Sequence, residues 1–229
     1  MNKYIKYHIM SCLRKKLYWL YCFVLYFVLL VIHIKLLSDH NNSIFAFSSF
    51  EYTIRMRSQQ LYICFGLIFC ILMIINEKHL KIYKSHFKIY IENTRTYYIS
   101  LCLSTVLLNI IPFIIGQTLF FYINKHMTDF YSYELFLTNM TVVITEIITL
   151  TLIFIGLFLT VQKTAILVFI YALFVSITPV TNWIYVSIPL IASIYDCTFT
   201  PELLISRFIL MAIGILIFNV ALKKFDLQE

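Results

Sequence analysis

One carboxylate lies deep in an apolar run: Glu146, in "TNMTVVITEIITLTLIF". A carboxyl group so placed could serve as a general acid or base, pair with a cation, or line a path for a polar solute. An ionised acid in hydrocarbon costs on the order of a few kcal/mol, so it is expected to face protein or water. At helical spacing Thr138, Thr141, Thr145 and Thr149 share one face, with Asn139 and Glu146 beside them. Two readings of this flank stand. The threonines bond the carbonyls four residues back and Glu146 pairs with a neighbouring helix, a packing role only. Alternatively Asn139, Thr141, Thr145, Glu146 and Thr149 line a transport pathway or a subunit interface. Catalysis at Glu146 would need a second group at the same depth, for which Asn109 and His33 are weak candidates. Arg207 lies closer to Glu202, five residues earlier, than to the level of Glu146, and can also snorkel.

Other chemistries lack their residues. His8, His33, His40, His79, His86 and His126 show no H-E-x-x-H or other zinc spacing. The six cysteines contain no C-x-x-C, and most sit in apolar runs, where Cys behaves as a small hydrophobe. No structural disulfide and no metal are expected. There is no Gly-x-Ser-x-Gly elbow, and no phosphate-binding G-x-x-x-x-G-K-[ST] among only 4 glycines.

The elements that would carry these groups are set by composition. Of 229 residues, 61% are hydrophobic and 13% charged, with a mean hydropathy of +0.86. A soluble domain carries roughly 25% charged residues. The chain is therefore expected to be an all-α polytopic membrane protein, a single transmembrane domain over residues 1–229. Spans are expected at about Leu17–Leu37, Gln59–Ile75, Tyr97–Ile123, Glu134–Val161, Ala165–Ile177 and Leu203–Leu222. Asn109 and Pro112 mark a kink in the third, and "QKT" is a tight turn between the fourth and fifth. The start "MNKYIKYHIMSCLRKK" is too long and mixed for the n-region of a cleaved signal, so the first span reads as an anchor. Within residues 2–15, Ile5, Ile9 and Leu13 form a stripe with Lys3, Lys6 and Arg14 off it, the pattern of an interfacial amphipathic helix.

Charge bias orients the chain. The net charge is +7, yet the cations cluster beside apolar runs with no motif or platform for nucleic acid. With six spans and both termini cytoplasmic, most of the 18 basic residues fall inside. The proline-broken stretch 178–202 then reads as an outer re-entrant hairpin, because a seventh span there would export Lys223 and Lys224.

This topology makes "NEKHLKIYKSHFKIYIENTR" cytoplasmic. Lys81, Lys84, Ser85, Lys88 and Glu92 fall on one side of a helix, and Leu80, Tyr83, Phe87 and Tyr90 or Ile91 on the other. The segment is either a basic loop on the anionic inner leaflet or a docking helix for the groove of a cytoplasmic partner.

The layout of interfacial helix, six spans, cytoplasmic segment 76–96 between spans two and three, and outer hairpin before span six resembles the membrane subunit of type 2 ABC transporters. It is nearest the small Gram-positive permeases for peptide export or bacteriocin immunity. Glu77 in "INEKH" matches the family's Glu after the second span, and Thr94, Arg95 and Tyr97 echo its approach to the third. Asn93 and Ser100 stand where the family often has Pro and Lys. The resemblance implies a coupling helix through which Glu77, Lys81, Tyr83, Lys84, Phe87, Lys88 and Arg95 meet a separate ATPase subunit. That subunit would bind ATP and Mg²⁺; this chain would bind no cofactor and would itself be no enzyme. A second permease copy or a homologue would complete the pathway in the plasma membrane, and the cargo would be a hydrophobic or amphipathic peptide. An intramembrane enzyme using Glu146, and a stand-alone channel or scaffold, are the alternatives.

Overall fold

The computed structural model describes residues 2–24, 26–27, 94–127, 133–177 and 201–227. Every regular element among them is helical, and none is a strand. The second expected span and most of the first, the coupling segment up to residue 93, and residues 178–200 lie outside the described residues.

Helix α1 covers Asn2–Leu13, a stretch free of Gly and Pro. It closes in a tight turn, with the Lys15 amide donating to the Cys12 carbonyl at 2.9 Å. The Trp19 indole N–H donates to the Leu13 carbonyl at 2.8 Å, satisfying one acceptor that a helix end leaves over. Residues 16–24 are again helical.

Helix α2 is Thr94–Met127, 34 residues, with Pro112 inside it. Its segment Arg95–Ile123 is long and apolar enough to cross a bilayer by length and composition. At 1.5 Å per residue those 29 residues reach about 43 Å, beyond the roughly 30 Å hydrocarbon core. The helix continues through Asn109 and Pro112. Pro112 has no N–H for the Leu108 carbonyl, and the Tyr18 hydroxyl donates to that carbonyl instead, at 3.0 Å. The Tyr26 hydroxyl donates to the carbonyl of Pro112 itself at 2.5 Å. Gly116 makes room for this ring: a Cβ there would stand 2.8 Å from Tyr26 Cε1.

Helix α3, Tyr133–Val161, follows α2, and Phe121 meets Phe136 with ring centroids 4.8 Å apart where the two are joined. Gln162 ends α3 in the left-handed region (φ 56°), an uncommon conformation for a residue other than glycine. Helix α4, Thr164–Ile177, starts two residues later in a new direction. Helix α5, Pro201–Leu227, opens on a proline, whose fixed φ and missing N–H suit a first helical position. Pro201 and Glu202, expected at the end of the re-entrant stretch, thus form the first turn of α5.

Helices α3 and α5 run parallel and very close. A Cβ on Gly156 would stand 3.3 Å from Phe218 Cα, and one on Gly214 would stand 3.3 Å from the Thr149 carbonyl oxygen. Later residues of α3 thus meet later residues of α5. The shared core holds Ile147, Leu150, Phe154, Ile155, Phe158 and Phe218. The outward faces are apolar as well: Phe23, Ile111, Leu119, Phe208 and Leu216 are all more than half exposed.

Candidate functional site

Helix α1 is positioned by an aromatic cluster at the start of α2. His8 is 2% exposed, its ring centroid 4.9 Å from that of Tyr97, with Tyr4 on the same ring at 5.7 Å. Tyr98 and Cys12 are buried beside them. Burial pushes the Cys12 thiol up to about 11, against the pull of the Lys15 charge and with a smaller push from Cys22. The face of α1 that packs on protein therefore centres on His8 and Cys12. Ile5, Ile9 and Leu13, the expected apolar stripe, are half-buried at its edge. The His8 ring packs edge-on against Tyr97, and this ring contact accompanies the turn of the helix, with Ile9 and Leu13 packed at the margin of the same core.

The buried face of α2 is polar over several turns, and its groups are largely satisfied within the helix. Ser104 donates to the Ser100 carbonyl at 2.6 Å, Thr105 to that of Leu101 at 2.9 Å, and the Asn109 amide to that of Thr105 at 2.7 Å. Such bonds let Ser, Thr and Asn sit on an inward helix face at low cost.

The polar flank of α3 behaves in the same way where it is described. Thr141 donates to the Leu137 carbonyl at 3.0 Å and Thr149 to that of Thr145 at 2.8 Å. Thr149 is buried in the seam against α5, and Thr141 and Thr145 are half-buried. Glu146 and Asn139 belong to α3, but their side chains lie outside the described residues. Of the residues expected to meet an ATPase, Glu77, Lys81, Tyr83, Lys84, Phe87 and Lys88 also lie outside them. Arg95 is exposed in the first turn of α2, and its guanidinium donates to Asn219 Oδ1 of α5 at 3.5 Å.

This last contact sets the start of α2 beside the end of α5. The parallel α3 therefore also ends there, so Lys163, Lys223 and Lys224 share one end of the bundle with Arg95 and with the cations of α1. All of these described cations are exposed. The opposite end carries Phe121, Tyr122, Tyr133 and Phe136.

Sequence reasoning missed the hydroxyl anchors Tyr18 and Tyr26 and the helix contacts made by Gly116, Gly156 and Gly214. The scarcity of glycine was a usable signal, since each of these three glycines sits at a close helix approach. Among the described residues no three His, Cys, Asp or Glu side chains gather as a metal site. Comparison with protein-family models, with characterised proteins and with solved structures returns no match for this chain.

Proposed function

We propose that the chain is the membrane-spanning permease subunit of an ATP-driven ABC exporter, with six spans and both termini cytoplasmic. Its cargo would be a hydrophobic or amphipathic peptide, and its plasma-membrane partners an ATPase subunit and a second permease. The observation that carries the reading is the amphipathic segment 80–92, with Tyr83 and Phe87 opposite Lys81, Lys84 and Lys88, held in a chain that is otherwise apolar.

Several features support the membrane and topology parts. Large exposed apolar faces are rare on soluble monomers, and here they run along α2 and α5. The exposed cations described gather at one end, and rings stand at both ends, as loop charge and interfacial aromatics do in membrane proteins. Parallel packing of α3 and α5 requires an odd number of crossings between the end of one and the start of the other, which the one crossing of α4 supplies. That favours six spans, with residues 178–200 making no net crossing, over seven. The fold would then pass ATP-driven closure of the partners into the spans through packed contacts at segment 76–96.

The test is purification of the tagged chain from its native membrane in mild detergent. A stoichiometric soluble ATPase should co-purify and be lost in Phe87→Asp, with membrane insertion unchanged. A chain that purifies alone under conditions that preserve such complexes would defeat the exporter reading.

A further inference from the structure

The side of α1 turned away from α2 is built unlike the rest of the helix. Lys3, Lys6, Tyr7, Met10, Ser11 and Arg14 line an open groove of about 550 Å³. Their spacing of three, four, seven, eight and eleven residues from Lys3 places them along one helical face, opposite His8 and Cys12. Three cations and the Tyr7 and Ser11 hydroxyls thus face outward over about three turns. Residues 2–16 contain no carboxylate to pair with them. Between the cations, Tyr7 and Met10 are 50% and 43% exposed. Cations with donors for phosphate oxygens, set around an apolar floor, match a ligand that is anionic at its head and oily behind it.

We propose that this groove is a binding site for the headgroup of an anionic phospholipid, with Lys3, Lys6, Ser11 and Arg14 on the phosphate and Tyr7 and Met10 against the glycerol and upper acyl chain. The proposal rests on the membrane reading above, and on no part of the transport reading. Its consequence is that α1 is clamped from both sides, by the Tyr97 cluster within the protein and by lipid outside it. The pose of α1 on α2 would then depend on the charge of the leaflet.

Trp19 is a built-in reporter. It is exposed, and its bond to the Leu13 carbonyl holds it at the α1 end nearest Arg14. In the full chain with Trp183→Phe, Trp19 is the only tryptophan. This protein would be reconstituted in phosphatidylcholine vesicles in which a fixed fraction of the lipid is brominated phosphatidylglycerol or, separately, brominated phosphatidylcholine. Trp19 fluorescence should be quenched more by the anionic lipid. Lys3→Gln with Lys6→Gln should abolish most of that excess, each cation counting for about fivefold in local lipid enrichment. Lys15→Gln with Lys16→Gln removes the same charge outside the groove and should preserve most of it. Quenching by brominated phosphatidylcholine, unchanged in both pairs, checks that the helix is intact. Equal losses in the two pairs would mean a diffuse field and no site. Loss of the excess on adding millimolar inorganic phosphate would mean a site for free phosphate. An absent excess overturns the headgroup preference alone, whereas no quenching by either lipid overturns the membrane reading with it.

Discussion

The hydroxyl of Tyr18 donates to the carbonyl of Leu108, the carbonyl that Pro112 leaves without its helical partner. A proline in the middle of a long helix normally orphans that acceptor, and in an apolar setting an orphan costs more than it would in water. Here the defect is the attachment point for residues 16–24. Tyr26 adds a second attachment one turn on, its hydroxyl donating to the Pro112 carbonyl, which the proline does not orphan.

Tyr18→Phe should therefore destabilise the fold by about 1–3 kcal/mol, the range for leaving a buried polar group unpaired. Pro112→Ala restores the amide and should shrink the penalty of Tyr18→Phe to a few tenths of that. Reversible unfolding of the four proteins in mixed micelles gives the cycle. If Tyr18→Phe costs as much in the Pro112→Ala background as in the native one, the compensation does not exist.

Gly214→Ala should push α3 and α5 apart, because its Cβ would meet the Thr149 carbonyl oxygen at 3.3 Å and backbone cannot swing aside. The expected cost is about 1–3 kcal/mol. Gly116→Ala meets the Tyr26 ring instead, so its penalty should overlap with that of Tyr26→Phe and the two should not add. Melting temperatures of the single and double variants test both statements, and full additivity at Gly116 and Tyr26 would refute the second.

Burial raises the Cys12 thiol from 9.0 to about 11, so the folded state holds that proton more tightly than the unfolded chain does. The stabilisation is complete below pH 9 and is lost as pH rises through about 11. In a variant keeping Cys12 as its sole cysteine, maleimide labelling at pH 8 should be much slower than for an exposed thiol, and should accelerate on unfolding. Fast labelling of the folded protein would show that α1 does not rest on Tyr97 as described.

The parallel pairing of α3 and α5 makes a topological prediction. Lys163→Cys and Lys224→Cys should react with a membrane-impermeant thiol reagent from the same side of a sealed vesicle, and Tyr133→Cys from the other. Reaction of Lys163→Cys and Lys224→Cys from opposite sides would restore a seventh crossing between Ile177 and Pro201.

Helix positions were legible because hydropathy and period are local properties. The spans expected at Tyr97–Ile123, Glu134–Val161 and Ala165–Ile177 fall within α2, α3 and α4, which begin and end at or just beyond them. The turn at "QKT" was also readable, from the polar break alone, and Gln162 occupies it. The two roles of the threonine flank could be written down from spacing, but spacing could not choose between them. The choice at Thr149 depends on Gly214 of another helix, which brings α5 onto that turn. The same holds for α1. Its sequence announces an amphipathic helix, but its partner, Tyr97, is 89 residues away from His8, and the contact of those rings lies on the side that is buried. Pro112 by itself reads as a kink. Only the tertiary structure sets Tyr18 against Leu108, because a hydrogen bond between distant helices depends on how two surfaces meet and leaves no periodic trace in either stretch of sequence.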